Sequence, residues 1–359
     1  MAALALCAPA HAVIGAIDPV PAATLLLPYF EVDGSFESGA TTICTVTAMG
    51  STAVVRVVLW TDLGVPTYGF NLLFDADDVR SFNIRDIFNG FAPTATGSVP
   101  IPQPDLDRII AAHAGQPLPS TDLCAGRDFG DGVFRGYITI DSVTSATTFF
   151  PGDAGYFLNG GIGVANNDNI LWGEYLRVDP ANNFASGEPM VHIEADGNDN
   201  RIRDAGDYTF YGGLIGGSAQ DNREPLASHW LAPFRNDGEG NTSLIYWRDI
   251  RQANIARQCF QIVPWYPLPL RQLTLLRSIY FLENPDALEA LASVCGRVDV
   301  GGFELPTALD SGMILLNLDH DLGTAFVPGA QGYVAVLQDA QGRFSTESAA
   351  TPISSSIGP

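Results

Sequence analysis

Lysine is absent from the 359 residues, so all 18 basic side chains are arginine. This excludes chemistry that depends on a lysine amine, whether a Schiff base or the lysine of a phosphate-binding loop. Charge is sparse, at 16% of residues, too little for a disordered acidic tail or a coiled coil. Beyond the N-terminus no stretch is long and apolar enough to span a bilayer as a helix. Short catalytic motifs are lacking too. There is no G-x-S-x-G nucleophile elbow, and no C-x-x-C or H-x-x-x-H that would bind zinc. The clusters Gly160-Gly161-x-Gly163 and Gly212-Gly213-x-x-Gly216-Gly217 do not match a dinucleotide fingerprint and read as loops.

What is present points to an acidic, exported, strand-rich chain. Forty acidic residues against 18 basic give a net charge of -22, which repels phosphate backbones and anionic lipids. Nucleic acid is therefore not expected as a partner, whereas divalent cations suit such a surface. An apolar content of 46% over this length implies about two domains, and Gly 37 with Pro 24 implies many turns. Residues 1–12 read as a signal peptide, with an apolar run over 2–8 and Ala10-His11-Ala12 as an A-x-A cleavage site. The positive leader such a signal carries would then lie upstream of Met1. The expected location is secreted, periplasmic or cell-surface. Cleavage removes Cys7 and leaves Cys44, Cys124, Cys259 and Cys295, an even number that suggests two disulfides. Three connectivities are possible. Pairing within each half, Cys44–Cys124 and Cys259–Cys295, would staple each unit and contribute on the order of 2–4 kcal/mol.

Strand signals dominate. Residues 24–32, 41–48 and 53–61 are β-branched, partly alternating and separated by turn residues, and similar runs recur roughly every ten residues. Only 105–114 and 285–294 have helical spacing, and each opens on Pro-Asp. These landmarks repeat. Leu26-Leu27-Pro28-Tyr29-Phe30 parallels Trp230-Leu231-Ala232-Pro233-Phe234, and Gly136-Tyr137-Ile138 parallels Gly312-Met313-Ile314. Each half also has one Pro-Asp helix followed by a cysteine. The expectation is an all-β fold of two tandem β-sandwich units, immunoglobulin-like or jelly-roll-like, related by internal duplication and each with one short helix. The units span 22–195 and 225–352. A Gly/Asp/Asn-rich linker or loop covers 196–224, and 353–359 is a disordered tail.

Five residues carry a candidate cation site: Asp196, Asn198, Asn200, Asp204 and Asp207. Oxygen ligands at alternate positions of a tight loop suit calcium, and the first five positions resemble an EF-hand or dockerin-type loop. The pattern then departs, because Arg201 stands where the turn wants glycine and Asp207 closes the loop in place of a longer Glu. A solvated loop is the competing reading. The clusters Asp75-Ala76-Asp77-Asp78 and Asp319-His320-Asp321 read as turns, and His192 with Glu194 as a surface pair. Trp60, Trp172 and Trp247 read as core, while Trp265 and Tyr266 form a loop pair read first as packing and, in the alternative, as a surface able to stack on a glycan. The strand grammar resembles, in a general way, bacterial extracellular immunoglobulin-like and adhesin-type sandwiches. That resemblance covers short strands only; duplication, acidity, export and the lack of a recognisable catalytic set lead to the expectation of a non-enzymatic structural or adhesive surface protein, calcium-stabilised, with self-association or a surface glycan as its partner. A carbohydrate-binding module or carbohydrate-active enzyme is the alternative.

Overall fold

A computed structural model describes residues 20–35, 38–116, 125–158, 163–195, 209–215, 221–237, 239–249, 275–282, 287–293, 298–304, 310–318, 331–340 and 345–354. In chain order the first half contains β1 (Thr24–Asp33), β2 (Thr41–Ala48), β3 (Ala53–Thr61), β4 (Pro66–Phe74), β5 (Val79–Asn83), α1 (Ile84–Phe88), β6 (Phe91–Thr94), β7 (Gly97–Pro100), α2 (Gln103–His113), β8 (Val133–Val143), β9 (Leu171–Asp179), β10 (Phe184–Pro189) and β11 (Val191–Ile193). The second half contains β12 (His229–Arg235), β13 (Asn241–Asp249), β14 (Leu275–Leu282), β15 (Ala287–Ser293), β16 (Val298–Glu304), β17 (Ser311–Asn317), β18 (Gln331–Asp339), β19 (Ser345–Ala349) and β20 (Thr351–Ser354).

These strands form two five-stranded sheets, β11-β1-β8-β3-β4 and β15-β14-β17-β12-β20, and one eight-stranded sheet, β16-β13-β18-β19-β10-β9-β2-β5. The small hairpin β6-β7 stands apart. Read outward from β11 and from β20, the two five-stranded sheets have the same connectivity, and each half supplies four strands to the eight-stranded sheet in matching order. The halves meet where β10 and β19 pair in parallel at Phe184 and Ser345. Hydrogen bonds repeat as well. The Thr42 hydroxyl accepts from the Glu31 N–H and donates to its carbonyl, both at 3.2 Å. The Thr242 hydroxyl does the same with Arg235, at 2.9 and 3.1 Å. Phe30 faces Gly136 across one ladder and Phe234 faces Gly312 across the other. A β-carbon at Gly136 would collide with the Trp60 carbonyl oxygen and press on the Phe30 ring, so the close packing there needs glycine. The first-half strand carries one extra residue relative to its ladder partner. The ladder slips between Leu27 and Phe30, around Pro28, which has no N–H to give.

The apolar runs seen in the sequence are long because the first five-stranded sheet is buried on both faces. Leu25, Leu27, Phe30, Val57, Leu59 and Ile138 pack into a core with Cys44, Val46 and Tyr175 of the eight-stranded sheet. Leu26, Tyr29, Val58, Trp60 and Tyr137 point the other way, into a second core shared with Trp230, Tyr246, Trp247 and Val334. Helix α2 holds Pro104 and Asp105 in its first turn, one residue after its start at Gln103, and buries Ile109, Ala112 and His113.

Several expectations change. Residues 287–293 form strand β15, antiparallel to β14 from Leu275↔Ser293 to Phe281↔Ala287, and not a helix. A full-length ladder overrides the helix propensity of an Ala- and Leu-rich run. From the stretch whose composition suggests a linker, Phe210, Tyr211, Asp221 and Arg223 are buried. Strand β20 pairs with β12 as far as Ser354, inside the expected tail. Cys44 is a buried free thiol, not half of a disulfide, and burial pushes its ionisation well above the usual thiol range. Its expected partner Cys124, together with Cys259 and Cys295, lies outside the described residues.

Candidate functional site

The candidate cation ligands Asp196, Asn198, Asn200, Asp204 and Asp207 lie outside the described residues, as do Trp265, Tyr266 and the 319–321 cluster. Among the described residues no group of three or more His, Cys, Asp or Glu could hold a metal ion. Residues 75–78 form a turn, with the Asp78 N–H donating to the Asp75 carbonyl at 3.1 Å and Asp77 at φ 61°. Asp tolerates that left-handed conformation better than most residues. His192 is buried beside Trp172, with ring centres 4.6 Å apart. Burial lowers its proton affinity, and the pair expected on the surface is therefore half interior. Trp60 and Trp247 are core residues, 2% and 3% exposed.

The described chemistry concentrates in three buried polar groups, two of them where the halves meet. In the first, Arg127 donates from Nε to Asp62 Oδ2 at 2.5 Å and from Nη2 to the Val300 carbonyl at 2.6 Å. The Val300 N–H donates to the Asp62 carbonyl at 2.9 Å. Val300 lies on β16, the outer strand of the eight-stranded sheet. Both of its backbone polar groups are thus held by the first half, which covers a strand edge that would otherwise be open. Burial raises the Asp62 carboxyl, and Arg127 offsets this only in part.

The second group centres on Arg177 of β9. Its Nη1 pairs with Glu347 of β19, its Nη2 donates to Glu31 at 2.9 Å, and its guanidinium lies 4.5 Å from the Tyr29 ring centre. Burial alone would raise the Glu31 carboxyl, but Arg177 and Arg135 outweigh it and hold the group below the usual range. In the third, Asp141 accepts from Thr24 at 2.5 Å, Tyr156 at 2.7 Å and Tyr211 at 2.9 Å. Arg223 joins it by donating to Thr24 at 3.1 Å.

No family model matches this chain, and no curated protein matches it.

Sequence reasoning missed these three groups. Their acids are scattered singly over more than 300 positions, and no local spacing marks them. The one available signal was an Arg or Asp placed inside an apolar strand, as Arg56, Asp141, Arg177 and Arg248 are. Asp and Arg are rarely fully buried unless paired. What the arrangement does chemically is hold. Each buried charge is spent on a partner, and two of the three groups bridge first-half residues to second-half strands.

Proposed function

We propose that this is an exported, non-enzymatic structural or adhesive protein of a cell surface or matrix, made of two copies of one β-sandwich module. The observation that carries the reading is the fusion of the halves through the β10–β19 pairing and the buried Arg127 and Arg177 clasps. Such a joint gives a rigid body that can present loops and strand edges at fixed spacing. The matched connectivity and the repeated Thr42 and Thr242 hydrogen bonds support duplication. One extra residue in the first copy accounts for its bulge. The acidic surface, the A-x-A site before Val13 and the Asp196–Asp207 oxygens support export and calcium stabilisation.

Size-exclusion chromatography and negative-stain microscopy across protein and calcium concentrations test this reading. Ordered self-association is expected, and an inert monomer under every condition counts against it. A thermal melt with calcium and with chelator reports on the 196–207 loop, where a rise of several degrees with calcium is expected.

A further inference from the structure

A groove of about 710 Å³ crosses the end of the first half where β3 begins and β4 and β8 end. That volume is typical of small-ligand sites. Three features mark it. Ser142 is 1% exposed, and its hydroxyl has no hydrogen-bond partner among the described residues. A buried hydroxyl left unpaired costs free energy, so an occupant that pairs with it is favoured. Leu73, 54% exposed, gives the groove an apolar wall. The carboxylates of Asp75 and Asp168 and the hydroxyls of Thr52 and Thr96 also line it, engaged by no described ion pair or side-chain hydrogen bond. The matching position in the second half, fixed by the shared spacing from Gly136 and Gly312, is Leu318, fully buried in the core. The unpartnered hydroxyl therefore belongs to one half only.

We propose that this groove binds a neutral saccharide, with Ser142 as a buried hydrogen-bonding contact. The free groups are mostly acceptors or hydroxyls, which suit a ligand rich in O–H donors. The apolar wall suits the C–H face of a sugar ring. An anionic ligand would meet Asp75, Asp168 and the net charge of -22. The Arg80 guanidinium that lines the groove is already paired with Asp78 and the Ala95 carbonyl. A neutral polyol needs no charge partner there, and the lysine-rich peptide control tests the cationic alternative. This inference goes beyond the structural reading and does not use Trp265 or Tyr266.

The test is a glycan array, followed by calorimetry of the full chain with cellohexaose, chitohexaose, laminarihexaose and the best array hit, and with a lysine-rich peptide as a control. Saccharide binding is expected, with affinity lowered at least tenfold in Ser142→Ala and in Leu73→Asp. Ser142→Ala removes a hydroxyl that has no partner, so its melting temperature should not fall. Leu73 is exposed, so Leu73→Asp should fold normally. The proposal is overturned if no saccharide binds, if either folded variant keeps its affinity, or if the peptide binds as well as the sugar. Saccharide binding by a protein that never self-associates would leave the groove standing and remove the structural reading.

Discussion

Two buried residues set opposing pH responses. Asp221 is fully buried, and desolvation raises its carboxyl to about 6 against backbone donation from Tyr211. His113 sits between the Phe30 and Phe88 rings, 5.8 and 5.2 Å away, and burial lowers its imidazole to about 4. The raised acid binds its proton more tightly in the folded state. Its contribution to stability is present at low pH and lost as pH rises from about 4 to about 6. The depressed base does the reverse. Its contribution is present above the unfolded value of 6.5 and is lost as pH falls toward about 4. Each term is worth about 3 kcal/mol, so they nearly cancel between pH 4 and 6. Urea titrations of the variants should separate them. Relative to the parent, Asp221→Asn should gain stability as pH rises through this window, and His113→Gln should gain as pH falls through it. A difference that stays flat with pH in either variant would refute that assignment. Cys44 gives a second test at this scale. Its thiol should resist alkylation in the native protein and react stoichiometrically in denaturant, read by peptide mass spectrometry without reductant.

At the scale of elements, much of the strand pattern could be read ahead of the structure. Residues 41–48 and 53–61 coincide with β2 and β3, because β-branched alternation bounded by Gly and Ser turns states both period and ends. Helix α2 was legible from its Pro-Asp start and its 3-4 spacing. The same start misled at 287–293, where pairing with a distant strand decided the outcome and no local signal reports such pairing. The candidate sites were legible only as oxygen-rich or aromatic sequence. The clasps that join the halves depend on contacts such as Arg127 with Val300, which no window of sequence contains. That clasp makes its own prediction. Arg127→Met leaves the Asp62 carboxylate buried without its cation and should cost about 3–5 kcal/mol. Adding Asp62→Asn should recover much of the loss, because the stranded charge is gone. Denaturant midpoints of the two single variants and the double variant would show it, and simple additivity would contradict it.

The whole molecule turns on the face that the first half presents to the second. Leu26, Tyr29, Val58, Trp60 and Tyr137 project from the five-stranded sheet, and each is at most 4% exposed. Their cover comes partly from Phe210 and Trp247, the Trp247 ring lying 5.8 Å from Tyr137. Five large side chains laid bare on one sheet form an apolar patch of the size that drives association. Burying each contributes on the order of 1.5–3 kcal/mol. The two halves therefore share one core, although the strand order of one matches that of the other. A chain of residues 13–195 keeps all strands of its own sheets but loses this cover and the Glu347 partner of Arg177. It should aggregate or bind a hydrophobic dye, whereas the full chain should not. In the full chain, heating should give one calorimetric transition reported alike by aromatic absorbance and circular dichroism. Two separated transitions, or a soluble and dye-silent 13–195 fragment, would mean that the halves are independent domains and that the shared face contributes little to holding them together.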